Sequence, residues 1–295
     1  MKSVTEKMRQ LAKELLKKKE VDLIIGWEKG TFFYDSTPVF ITRPEDTDCL
    51  IWDEFCAVNL AKYLMEYRQK EGKTAIFVKG CDARGVNRLL QDLQLDRDKI
   101  YLIGIPCPGM KSIQAAKEAG PEKIQDLPLE EKCLYCTHPN PVIYDVLLGE
   151  EVQPSPQKDR FAGVEEIEKM DPDSRYEFWS SHYDRCLRCY ACRNVCPACN
   201  CRECIFDQGQ DWLERSVDRG GNEFYGLVRA FHVAGRCTEC GECERVCPAG
   251  IPIMLLNRKI AKDINELFGE YEAGLDLEVT PPLGLYKTED PEEFM

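Results

Sequence analysis

The pattern of apolar and polar positions divides the chain into two unlike parts. Residues 2–19 carry apolar positions at helical spacing among many lysines, which predicts an amphipathic helix. VDLIIGW and PVFIT read as strands, and a helix is predicted from about Asp53 to Gln69. The clearest pattern follows: TAIFVKG is a short apolar strand, DARGVNRLLQDLQL a helix and IYLIGIP a second apolar strand. Together they predict a βαβ unit whose small parallel sheet is buried on both faces. Residues 1–150 are therefore expected to form an α/β domain.

Residues 151–175 are polar, charged and proline-containing, and are expected to link two domains. Beyond them no strand pattern stands out. YEFWSSHYDRC, NEFYGLVRAFHVAGRC and IPIMLLNRKIAKDINELFG read as helices, so residues 176–270 are expected to be a mainly α-helical domain. Residues 271–295 form an acidic tail whose last dozen residues are expected to be loosely ordered.

Composition narrows the chemistry. The 295-residue chain is 43% hydrophobic and 31% charged, enough to bury a core in each part. Its formal charge of −13, with no basic stripe, argues against a nucleic-acid partner. No run approaches the roughly 18 apolar residues of a membrane span, and the first residues lack the apolar core of a secretory signal. A cytoplasmic location is expected. Seventeen cysteines in a reducing compartment point to metal ligands rather than disulfides.

The cysteines are unevenly placed, six before residue 140 and eleven between Cys186 and Cys247. Cys186, Cys189, Cys192 and Cys196-Pro197 form CxxCxxCxxxCP, and Cys237, Cys240, Cys243 and Cys247-Pro248 repeat it. In this pattern three thiolates hold one 4Fe-4S cluster and the fourth reaches the other. The spacing therefore predicts one cluster on Cys186, Cys189, Cys192 and Cys247, and a second on Cys237, Cys240, Cys243 and Cys196. Tetrahedral zinc needs only four ligands and leaves the third and fourth cysteine of each run unexplained. Clusters fully ligated by thiolates offer no open iron, so their role is to relay single electrons.

About forty residues separate the runs. That separation, with the stretch GRCTECGECERVCPAGIPI, resembles the α-helical ferredoxin modules of heterodisulfide reductase and succinate dehydrogenase iron–sulfur subunits. The resemblance covers about the last 110 residues. It implies a module that works inside a larger complex.

Six cysteines lie in the first part and three more follow Cys196. Cys81 and Cys107 follow the two apolar strands, at the carboxyl ends where α/β sheets bind ligands. Cys133 and Cys136 form a CxxC pair on a loop placed to fold over the same edge, so these four predict a third 4Fe-4S site. Cys199, Cys201 and Cys204 have two readings, a fourth cluster completed by Cys49 or Cys56, or a structural zinc. Cys56, beside apolar residues, also reads as a plain buried thiol. His138, His182 and His232 are too scattered for a metal triad, and no CxxCH stands here to attach haem.

VKGCDARGVNRLL, IYLIGIPCPG and KCLYC resemble the C-terminal domain of the beta subunit of deazaflavin-dependent hydrogenases and formate dehydrogenases, over about residues 70–150. The family pattern has Gly-x-Pro-Cys where this chain has Gly80-Cys81 directly. The resemblance implies a subunit that carries clusters, and in many members a flavin such as FAD, and that passes electrons between a hydride carrier and a one-electron chain. No GxGxxG stands here to cradle a dinucleotide. Two functions follow. The first is an electron-transfer subunit of a multi-subunit anaerobic oxidoreductase, wired to a hydrogenase, formate dehydrogenase or heterodisulfide-reductase-type partner rather than catalysing alone. The second is a flavin-containing subunit that itself oxidises or reduces a deazaflavin or nicotinamide.

Overall fold

The computed structural model describes residues 2–208, 216–285 and 288. The chain forms two compact units. One runs to Lys158 and includes Gly274–Asp276, and the other comprises Asp159–Ala273 with the residues from Leu277 on.

The first unit is built on a five-stranded sheet in the order β2-β1-β3-β4-β5. Its strands are β1 (Leu23–Lys29), β2 (Ser36–Ile41), β3 (Thr74–Val78), β4 (Ile100–Gly104) and β5 (Val146–Leu147). Strands β1, β3, β4 and β5 pair in parallel, but β2 is antiparallel to β1 in the register Lys29↔Ser36 to Ile24↔Ile41. The sheet is thus mixed, not parallel throughout as the sequence pattern suggested. The reason is local. The chain between Lys29 and Ser36 is too short for a crossover, so the second strand can only fold back as a hairpin.

The apolar runs of β1, β3 and β4 are almost wholly buried, as strands covered on both faces must be. Helix α1 (Lys2–Lys17) contributes Met8, Ala12 and Leu15 to their core, and α3 (Gly80–Gln91) contributes Ala83, Val86 and Leu89. The strap Gly274–Asp276 lies along α3. The Asn87 amide donates to the Gly274 carbonyl at 3.0 Å and Gln91 to that of Asp276 at 2.8 Å.

The helix expected over Asp53 to Gln69 shrinks to a 3-10 turn at Ala61–Tyr63 and α2 (Leu64–Tyr67). Side chains have taken the backbone donors that a helix would use. The Asp53 carboxylate accepts from Phe55 N at 2.9 Å, Asp82 from Leu60 N at 2.6 Å and the Asn59 carbonyl oxygen from Ala61 N at 3.0 Å. Two shorter helices complete this unit, α4 (Ile113–Ala119) and α5 (Glu131–Leu134).

In the second unit the helices are α6 (Ala162–Glu168), α7 (Pro172–Asp184), α8 (Ala191–Asn194), α9 (Arg219–His232), α10 (Glu242–Arg245) and α11 (Ile253–Phe268). The polar stretch between the expected domains is therefore structured from Asp159 on. The Asp159 carboxylate caps α6 through Phe161 N and Ala162 N, and Asp171 caps α7 through Asp173 N and Ser174 N. Val164 and Ile167 of α6 are buried, while Glu168 ion-pairs with Lys259 at 2.8 Å and Lys262 at 2.5 Å on α11. Of the acidic tail, Tyr286, Lys287 and residues 289–295 lie outside the described residues.

Hydrogen bonds from Lys259 and Lys262 lower the Glu168 carboxyl to about 2. A depressed carboxylate stabilises the fold above its unfolded value of roughly 4.3, and that contribution is lost as pH falls through about 2. Glu168→Gln is therefore expected to lower neutral-pH stability by about 0.5–1 kcal/mol, the scale of a solvent-screened pair. In denaturant titrations the gap between variant and wild type should hold above roughly pH 4.5 and narrow below it. A gap that widens on acidification would refute this role.

Candidate iron–sulfur sites

The two cysteine runs fold into the same local form. Arg188 and Tyr190 in the first run have φ of 49° and 60°, and Glu239 and Gly241, at matching positions in the second, have 55° and 69°. Each run then enters a one-turn helix, α8 or α10, at the same offset. Left-handed backbone is costly for arginine, tyrosine and glutamate. The same costly conformation thus recurs at the same offset in both runs. The loop presents sulfur inward with backbone N–H groups behind it: Arg188 N donates to Cys186 Sγ at 3.4 Å and Ile251 N to Cys247 Sγ at 3.5 Å.

The thiols gather in crossed sets. One cavity, of about 500 Å³, is lined by Cys186, Cys189 and Cys192 of the first run together with Cys247 of the second. A second, of about 310 Å³, is lined by Cys237, Cys240 and Cys243 together with Cys196. Among the described residues, neither cavity has a carboxylate or imidazole on its walls. The non-sulfur polar groups facing them are mainly donors. The Tyr225 hydroxyl is 3.4 Å from Cys192 Sγ, and the Asn257 amide lies 3.7 Å from Cys237 Sγ and 3.9 Å from Cys243 Sγ. Arg229, buried on α9, leaves Nε and Nη1 without a hydrogen-bond partner among the described residues. Soft thiolate donors surrounded by cations and N–H groups fit an anionic iron–sulfur cluster.

Burial pushes the Cys237 thiol up to about 12 and raises Cys186, Cys240 and Cys243 as well. Cys196 runs the other way, lowered by the hydrogen bond with Cys199 and by the nearby Arg229. Burial of this kind favours the protonated thiol at Cys186, Cys237, Cys240 and Cys243 until metal displaces the protons, so loading and folding are linked.

In the sheet unit, Cys81 sits in the first turn of α3 just past β3, and Cys107 just past β4. The segment around α5 folds onto this edge. Met110 N donates to Cys133 Sγ at 3.4 Å and Cys107 N to the Pro139 carbonyl at 3.0 Å. The approach is so close that a Cβ on Gly80 would stand 1.9 Å from the His138 carbonyl oxygen. The four thiols sense one another: Cys81 is raised to about 12 by burial and by charges that include Cys136, and Cys107 is raised by burial with Cys81 and Cys133 nearby.

Two lysines converge beside them. Lys79 Nζ donates to the Val58 carbonyl at 3.0 Å and pairs with buried Asp82 at 2.9 Å, and Lys132 Nζ donates to the Ala57 carbonyl at 2.6 Å. Burial opposes the Lys79 charge, but Asp82, Cys81 and Cys107 outweigh it and hold the ammonium above its ordinary value. Sequence reasoning missed Lys79, Lys132, Tyr225, Arg229 and Asn257. The one available signal was polar residues at helical spacing on an otherwise apolar face, as Tyr225 and Arg229 are.

Cys199 N donates a hydrogen bond to the Cys196 carbonyl at 3.1 Å, Cys201 is exposed, and Cys204 interacts with Arg193. Cys56 is a packed thiol in the sheet core that accepts from Asp53 N at 3.4 Å, and Cys49 ends a 3-10 turn at Pro44–Cys49. Among the described residues, no three or more cysteine, histidine or acidic side chains converge as they would on a single metal ion.

Comparison with known proteins agrees with these features. Residues 182–251 match the model of the 4Fe-4S dicluster domain. The F420-dependent formate dehydrogenase subunit beta of Methanocaldococcus jannaschii is 25% identical over 92% of each chain. The F420-dependent formate dehydrogenase 1 subunit beta of Methanococcus maripaludis is 26% identical over 93% of this chain and 92% of its own. The beta-subunit resemblance over residues 70–150 thus extends along nearly the whole sequence: the chain is similar to F420-dependent formate dehydrogenase beta subunits over about nine-tenths of its length, and it carries a 4Fe-4S dicluster domain at residues 182–251.

Proposed function

We propose that this chain is the electron-transfer subunit of a multi-subunit oxidoreductase, relaying single electrons to or from a catalytic partner of formate dehydrogenase type. The observation that carries the reading is the exchange of the fourth cysteine between the two cavities of the helical unit. On this reading Cys186, Cys189, Cys192 and Cys247 hold one 4Fe-4S cluster, Cys237, Cys240, Cys243 and Cys196 hold a second, and Cys81, Cys107, Cys133 and Cys136 hold a third. The clusters supply reversible one-electron storage. The protein supplies thiolates, apolar walls such as Ile251, Ile253 and Met254 that limit water, and N–H groups aimed at sulfur. The beta subunits it resembles support a partner of that class, and among the described residues no helix is long and apolar enough to cross a membrane.

Anaerobic reductive titration of the reconstituted chain tests this reading. Uptake of about three electrons in one-electron steps, one per cluster, is expected, with no flavin released on denaturation. Release of stoichiometric FAD with an added two-electron step would replace it with the flavin-containing subunit. Uptake of fewer than about two electrons would overturn both.

A further inference from the structure

Resting on the two-cluster reading of the helical unit, we infer that Arg229 is the shared counter-charge of both clusters and sets their midpoint potentials together. Arg229 lies on the buried face of α9 with Asn222, Tyr225 and Gly226, and is 4% exposed. It lines the cavity of Cys186, Cys189, Cys192 and Cys247, where its Nη2 donates to the Cys192 carbonyl at 3.1 Å. Cysteines of both sets act on its charge, Cys243 and Cys196 of the second and Cys192 of the first, together with Cys199.

The two other buried arginines of this unit differ. Arg188 is satisfied by Asn222 Oδ1 and the Ser216 carbonyl, both at 3.0 Å, and Arg258 pairs with Glu239 at 3.3 Å. Arg229 has no carboxylate partner among the described residues and keeps two donor nitrogens, Nε and Nη1, unused. A buried guanidinium left in that state is destabilising unless an anion meets it. Thiolate-ligated clusters are that anion on both sides. Each becomes more negative on reduction, so a fixed cation that acts on both favours the reduced form of both and raises both potentials.

The test is a potentiometric titration, followed by paramagnetic resonance, of the full reconstituted chain as wild type, Arg229→Met, Arg229→Gln, Arg229→Lys and Arg219→Met. Arg219 is on the same helix but exposed, paired with Glu177 and Glu223 at 3.2 Å, and controls for charge alone. Arg229→Met is expected to shift both midpoints downward by at least tenfold in oxidised-to-reduced ratio, about 59 mV for one electron. Arg229→Lys should give a smaller shift of both, and Arg219→Met almost none. If Arg229→Met fails to load iron, Arg229→Gln decides, because it removes the charge and keeps an N–H donor, and it should shift both midpoints downward more than Arg229→Lys does. Movement of one midpoint only, or of neither beyond the Arg219→Met control, would overturn the inference. Absence of two cluster signals in the wild type would instead overturn the two-cluster reading itself.

Discussion

Replacing Cys196 with serine is expected to cost the chain the cluster built on the second cysteine run, although Cys196 belongs to the first. The reciprocal change, Cys247→Ser, should cost the cluster of the first run. The reason is geometric: Cys196 lines the cavity of Cys237, Cys240 and Cys243, and Cys247 that of Cys186, Cys189 and Cys192. Each variant should lose about four irons and one paramagnetic signal, and the lost signal should match the one removed by Cys240→Ser or Cys189→Ser respectively. Matching within a run, so that Cys196→Ser mimics Cys189→Ser, would refute the crossed sets. The side of the unit that loses its cluster should also lose protease resistance, because four desolvated thiols cannot replace the bonds that metal supplies.

The second large effect is expected at Gly80. A methyl group there would meet the His138 carbonyl oxygen at 1.9 Å and the Asn140 carbonyl oxygen at 3.0 Å, and neither is a flexible side-chain end. Gly80→Ala must therefore push the 138–140 segment away from the carboxyl ends of β3 and β4, carrying Cys133 and Cys136 with it. A destabilisation of about 2 kcal/mol or more is expected in urea titrations, at the upper end of overpacking costs. The iron content should fall by about four while both signals of the helical unit persist. Gly220→Ala is the control: the nearest atom to its Cβ is Asp218 Oδ1 at 3.8 Å, and alanine favours the helix. Full iron content in Gly80→Ala would mean that the close approach of the 138–140 segment to Gly80 is not needed to hold a cluster at this edge.

How legible the molecule was in its sequence depended on whether the signal was local. The βαβ unit could be read because fully buried parallel strands need continuous apolar runs, and TAIFV and IYLIG are such runs. Strand β5 has two residues, Val146 and Leu147, too few for any period. The helix expected from Asp53 failed because Asp53, Asn59 and Asp82 capture its N–H groups, a competition that depends on where α3 lies. Both cysteine runs were readable as motifs, yet only Gly241 hinted at the left-handed positions that Arg188, Tyr190 and Glu239 also adopt. Arg229 was out of reach because burial of one charge on an amphipathic helix is a property of packing rather than of spacing.

Iron and acid-labile sulfide measured per chain on anaerobically reconstituted protein test the central claim most directly. Three cubane sites predict about twelve of each, falling to about eight in Cys81→Ala. Fewer than about eight irons in the intact chain, or iron without matching sulfide, would contradict the account.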